Sequence, residues 1–79
     1  LLKESERIKQ IGPGVFLTNF NYIKACEIIS HKIKENGTIT LAESRDILKI
    51  NRKLTQLILE TMDKDRITVR KENVRILLN

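Results

Sequence analysis

The residues best equipped for chemistry in this chain are cations grouped around two turns. Asn51-Arg52-Lys53 opens a helical pattern just after another one ends, and Arg70, Lys71 and Arg75 flank a second turn at Glu72-Asn73. A guanidinium offers a planar donor edge and a face that stacks, whereas an ammonium acts as a mobile point charge. Such groups hold phosphates and base edges; with no nucleophile or general base beside them they do not break bonds. Each has a plainer reading as well. Arg52 and Lys53 could be a solvated helix start, and Arg70, Lys71 and Arg75 could blunt an exposed strand edge. Lys49 and Arg45 lie on or beside the preceding helical pattern and could meet phosphates from its flank, although Arg45 could equally pair with Glu43 or Asp46.

The other reactive residue types do not assemble into a site. His31 has no set of ligands at metal-binding spacing. Cys26 falls among apolar residues at helical spacing and reads as core. Glu60, Asp63 and Asp65 form an acidic cluster with no nucleophile or cofactor loop, and are expected to solvate a turn. Gly12-Pro13-Gly14 lacks the Gly-Lys-Ser/Thr ending of a phosphate-cradling loop, so it reads as a tight turn. Tyr22, Phe16 and Phe20 are the only aromatics, and their positions read as structural, which disfavours a stacking platform for single strands. The chain is expected to be no enzyme, to hold no metal and to carry no cofactor of its own.

Bulk composition agrees with a small binding domain. Seventy-nine residues, 41% of them hydrophobic, suffice for one core. Fifteen Lys and Arg against ten Asp and Glu leave a net charge of +5, which favours polyanionic partners. A lone cysteine rules out an internal disulfide. No apolar run approaches the roughly 20 residues that span a bilayer, and no secretory pattern opens the chain. The expectation is a cytoplasmic monomer with no membrane partner. The start at Leu1-Leu2, without Met, suggests a piece of a longer protein.

Local patterns give the elements that must position the cations. Leu1 to Ser5 reads as the end of a preceding helix or linker. Arg7 to Ile11 and Val15 to Thr18 flank Gly12-Pro13-Gly14 as a hairpin. Asn19 or Asn21 is expected to cap a first helix running to about Asn36, with Tyr22, Ala25, Cys26, Ile29 and Ile33 inward and Asn36-Gly37 as its stop. Ile39 adds a short bridge. Thr40 with Glu43 forms a capping box for a second helix that faces Leu41, Ser44, Ile47 and Leu48 inward. Asn51 caps a third helix with Leu54, Leu57, Ile58 and Met62 buried, and Arg52, Lys53, Thr55, Gln56 and Lys64 exposed. Ile67 to Lys71 and Val74 to Leu78 then form a second hairpin. Three helices followed by a two-stranded wing is an α+β winged helix, a helix-turn-helix core whose third helix presents its first turn to nucleic acid. Residues 1–18 form an N-terminal segment and hairpin that could complete a preceding winged-helix domain; residues 19–79 form the winged helix itself.

From Gly37 onward the chain resembles the last winged-helix domain of the bacterial selenocysteine-specific elongation factor, SelB. The matching residues are Ile39-Thr40-Leu41-Ala42-Glu43, Arg45-Asp46-Ile47-Leu48, Arg52-Lys53, Leu59-Glu60, Met62-Asp63, Ile67-Thr68, Arg70 and Arg75-Ile76-Leu77. The family pattern runs roughly I-T-L-A-E-F-R-D-L-L-G-T-S-R-K, then L-L-E-Y-F-D-R-I-G-V-T-R-R. Ser44 replaces an aromatic, Ile50-Asn51 replaces Thr-Ser, Val69 replaces the first of two arginines, and Glu72-Asn73 stands for a Gly-Asp turn. Contacts near residue 51 and along the hairpin are therefore expected to differ from the family's.

The resemblance implies binding to a hairpin in selenoprotein mRNA, the selenocysteine insertion element, during selenocysteine incorporation. It implies a parent GTPase using GTP and magnesium, which meets the ribosome. The resemblance implies Arg52, Lys53 and Arg70 as RNA-binding residues, and the placement of Asn51, Lys49 and Arg75 around the two turns adds them to the expected set. Two other uses of the same scaffold remain open on the residues alone: a DNA-binding winged helix of a transcription regulator, and a protein-interaction winged helix whose basic face is only solvated.

Overall fold

The computed structural model describes residues 7–78; the expectation for Leu1 to Ser5 lies outside them. A first hairpin, β1 (Ile8–Gly12) and β2 (Val15–Thr18), leads into α1 (Asn19–Asn36). A short β3 (Ile39–Thr40) precedes α2 (Leu41–Leu48) and α3 (Arg52–Lys64), and β4 (Thr68–Lys71) and β5 (Val74–Leu77) form the wing. The sheet order is β3-β5-β4, all antiparallel, so β5 is the central strand. This is the expected α+β winged helix with an additional N-terminal hairpin.

Backbone-local signals set the helix ends. The Thr40 hydroxyl accepts from the Glu43 amide at 3.1 Å, and the Glu43 carboxylate accepts from the Thr40 amide at 2.9 Å. That reciprocal pair satisfies two donors that the first turn of α2 would otherwise leave open. Thr40→Ala is expected to lower stability by about 1 kcal/mol, read as a shifted urea midpoint with an unchanged slope. Gly37 closes α1 at φ 87°, the left-handed region in which a Cβ is strained. The start of α1 differs from expectation. Thr18 is its cap, accepting from the Asn21 amide at 3.1 Å, while Asn19 is already helical. The last residue of β2 has the extended backbone a cap needs, so the helix begins without waiting for an asparagine.

The core lies where α1, α3 and β3 meet. Ile29, Ile39, Leu59 and Met62 are fully buried, with Tyr22, Ala25, Ile33 and Ile58 around them. Helix α3 buries Ile58 and Met62 as expected, but the rest of its buried face differs from the apolar spacing. Leu54 and Leu57 are only half-buried, whereas Leu59, Thr55 and Thr61 are enclosed. Thr55, expected to be exposed, is completely buried because its hydroxyl donates to the Asn51 carbonyl at 2.8 Å. Thr61 does the same to Leu57 at 2.8 Å. A threonine that bonds the carbonyl one turn back presents mainly its methyl group to the core. Ser44 is buried as expected, and donates to the Thr40 carbonyl at 2.9 Å. Cys26 is half-buried, and burial pushes its thiol above the ordinary value, away from reactivity.

The N-terminal hairpin packs on α1 and α3. Ile11 is buried, its carbonyl accepts from Thr61 at 3.3 Å, and Gly12 lies so close to Leu57 that an added Cβ would stand 2.9 Å from a methyl carbon. Asp65 fastens the same hairpin. It pairs with Lys9 at 2.7 Å and accepts from the Tyr22 hydroxyl at 2.8 Å, while the Lys9 ammonium sits 5.1 Å from the Tyr22 ring centre. Asp65 therefore ties elements together instead of merely solvating a turn. On the outer face, Phe16 and Phe20 are exposed, contrary to their structural reading. Phe16 pairs with Gln10 on the solvent side of the two-residue alternation, and Val15 and Leu17 take the inner side.

Burial alone would raise the Asp65 carboxyl, but the hydrogen bonds from Lys9 and Tyr22 outweigh it and hold it below its ordinary value. A depressed folded-state value means the contribution is complete above the unfolded value, about 3.9, and is lost as pH falls through the folded one. Asp65→Asn is expected to lower the melting temperature at neutral pH and to flatten the fall in stability below about pH 4. Thermal melts across that range check it; an unchanged acid limb contradicts the tie.

Candidate nucleic-acid interface

The turn between α2 and α3 brings the first group of cations to the surface. Lys49 ends α2 in the left-handed conformation, φ 57° and ψ 43°, and the chain re-enters a helix at Arg52. Asn51 caps α3, its Oδ1 accepting from the Leu54 amide at 2.8 Å. That oxygen is committed to the helix. Arg52 and Lys53 follow in the first turn, exposed, with no acidic residue in that turn and no ion pair among the described residues. Cations at the positive end of a helix dipole are unfavourable by a few tenths of a kcal/mol, order of magnitude. An anion brought there relieves that cost.

The wing folds back toward this helix start and closes a groove. One cleft of about 260 Å³ is lined by Leu41, Arg52, Gln56, Arg70, Asn73 and Arg75. An adjoining cleft of about 330 Å³ is lined by Thr40, Leu41, Ala42, Arg45, Arg52 and Asn73. Arg52 stands between the two, and no carboxylate lines either. Arg52 and Arg70 carry no ion pair among the described residues, whereas Arg45 lies 3.7 Å from Asp46, its expected local alternative, and Arg75 pairs with Asp63. The guanidiniums around this concave surface still concentrate positive potential where a polyanion can lie. Lys49 and Lys53 are exposed but line neither cleft, and stand as flanking charges.

The two wing arginines differ sharply. Arg70 is exposed and donates from Nε to the Glu72 carbonyl at 3.0 Å, which holds it beside the turn. Glu72 itself adopts φ 57°, where the family pattern has glycine. Arg75, expected as an exposed wing cation, is only 6% exposed and donates from Nε and Nη2 to Asp63 at 3.3 and 3.0 Å. It sits on the central strand, covered from both edges, and faces the end of α3 where Asp63 waits. Asp63 also accepts from Thr68 at 2.6 Å. Like Asp65, it is a structural acceptor, not a turn-solvating charge.

Gln56, Asn73 and Leu41 join the groove without having been singled out in the sequence. Gln56 follows Arg52 by one helical turn, a spacing that signals a shared face. Asn73 and Leu41 could be found only by knowing that the wing returns over α2. Among the described residues no group of His, Cys, Asp and Glu could hold a metal ion, and no helix is long and apolar enough to cross a membrane.

Comparison with known proteins agrees with this geometry. The family model for the third winged helix of elongation factor SelB matches residues 31–77. The fold superposes with a TM-score of 0.85 and 29% identity on the mRNA-binding domain of elongation factor SelB from E. coli, a structure solved in complex with SECIS RNA. That match covers 91% of this chain and 60% of the other, so the present chain spans about three-fifths of its neighbour's length. No curated protein matches the sequence. A recognition-helix start, a returning wing and a carboxylate-free cationic groove thus occur on a scaffold matched over more than half its length, and the chain belongs to the SelB winged-helix family.

Proposed function

We propose that this domain binds a hairpin of selenoprotein mRNA, the selenocysteine insertion element, and tethers to it a translation factor that delivers selenocysteine. The observation that carries the reading is the Arg52 groove, cationic and free of carboxylates, on a fold whose SelB neighbour was solved with SECIS RNA. An A-form major groove is too deep and narrow to admit α3, so the fit is to the tip of a hairpin. Arg52, Arg70 and Arg45 would lie along the phosphates, and a looped-out base would enter between Arg52 and Asn73. Arg52 suits such a base because its plane stacks and its edge donates twice. Lys49 and Lys53 add longer-range attraction. The parent protein would be a cytoplasmic GTPase holding GTP and magnesium in another domain and meeting the ribosome there, with this domain acting as a monomer.

Titration with a looped RNA hairpin over a range of salt concentrations tests the reading. The logarithm of the affinity is expected to fall linearly with the logarithm of salt, and Lys53→Ala to reduce that slope by about one while affecting all RNA sequences alike. Salt-insensitive or absent binding would make the basic face a solvated surface of a protein-interaction module.

A further inference from the structure

Arg70 and Arg75 are direct cross-strand partners in the wing, so their side chains leave the sheet on the same face. Like charges directly opposite one another on a sheet repel. Both also line the cleft that holds Arg52. Asp63, in the last turn of α3, supplies the compensating charge from behind. Its Oδ2 accepts from Nε and Nη2 of Arg75, and its Oδ1 accepts from Thr68. These contacts fix both the carboxylate and the guanidinium plane. Nη1 of Arg75 has no partner among the described residues, and no fully buried side-chain nitrogen or oxygen among them lacks one. Nη1 is thus the one nitrogen of this nearly enclosed guanidinium left without a partner among the described residues, on a side chain that lines the cleft.

Resting on the proposed RNA-binding role, we infer that Asp63 is a positioning residue for RNA. It anchors Arg75 so that Nη1 meets the ligand from the floor of the groove, and it allows Arg70 to stand beside Arg75 without splaying away. An acidic side chain then strengthens binding to a polyanion. That sign is opposite to the one bulk electrostatics gives, because deleting a negative charge near the site should tighten RNA binding.

The test measures affinity for a looped RNA hairpin at one fixed salt concentration, with a thermal melt of each variant. Asp63→Ala is expected to weaken binding roughly tenfold, the scale of one charge-assisted contact, while the chain still melts cooperatively above the assay temperature. Asp63→Asn keeps an acceptor for the guanidinium and is expected to recover most of the loss. Arg75→Lys keeps the charge but cannot hold Asp63 and the cleft at once, and is expected to bind weakly as well. Should Asp63→Ala fail to fold, Arg75→Lys decides alone. Binding as tight as wild type, or tighter, by folded Asp63→Ala or by Arg75→Lys overturns the inference. Failure of the wild-type chain to bind the hairpin would instead overturn the RNA reading on which it rests.

Discussion

Replacing Arg52 by alanine is expected to weaken binding of a looped RNA hairpin by about 5- to 150-fold, equivalent to roughly 1–3 kcal/mol. Arg52 lines both clefts of the groove and has no ion pair among the described residues, so its donors are free for a ligand. The substitution should not harm the fold. It removes an exposed cation from the positive end of a helix dipole, which leaves stability unchanged or slightly raised. Affinity lost with an unchanged melting temperature therefore identifies a contact and not unfolding. Arg52→Lys separates charge from shape: it should retain most of the salt dependence and little of the affinity, because an ammonium cannot stack or donate twice in a plane. Unchanged binding by Arg52→Ala would move the site elsewhere on the domain.

The largest effect on stability is expected from Leu59→Ala. Leu59 is completely buried among α1, α3 and β3, and truncation of such a leucine costs about 2–5 kcal/mol. Small domains have only about 5–15 kcal/mol in total, so the melting temperature should fall by roughly 10 °C or more. Leu57→Ala supplies the control. Leu57 is half-buried against Gly12 and the N-terminal hairpin, and its loss should cost clearly less. Equal losses from the two positions would mean that α3 presents a different face to the core.

That contrast shows where sequence reasoning reaches its limit. The apolar spacing on α3 points to Leu54, Leu57, Ile58 and Met62, of which Ile58 and Met62 are buried and Leu54 and Leu57 only half-buried. Thr55, read as exposed, and Thr61, which the apolar spacing does not single out, are both enclosed because a hydroxyl bonded one turn back makes each a compact core residue. Signals closed within a few residues were legible. The Thr40–Glu43 box, the Asn36-Gly37 stop, the Asn51 cap and both hairpins depend on neighbours three or four positions away.

Partners that meet only after folding were not legible. Asp63 reaches Arg75 across 12 positions and Tyr22 reaches Asp65 across 43, so both carboxylates looked like solvation at the end of a helix. The same limit applies to the groove. Arg52 was visible because a helix start exposes it, but Gln56, Asn73 and Leu41 belong to it only because the wing returns over α2. Arg75 was misplaced because a strand's position in the sheet order decides its exposure. On the central strand, Arg75 lies directly beside the fully buried Ile39 and meets Asp63 at the end of α3, so it is nearly enclosed.

The central claim is that this winged helix grips a looped RNA hairpin and does not read duplex DNA. One measurement tests it most directly: binding of the 79-residue chain to a looped RNA hairpin, to a plain RNA duplex and to a DNA duplex at the same salt concentration. The hairpin is expected to bind most tightly, and to lose that advantage when its loop is replaced by base pairs. DNA duplex bound as tightly as the hairpin, or more tightly, would contradict the account and assign the Arg52 groove to a major-groove reader.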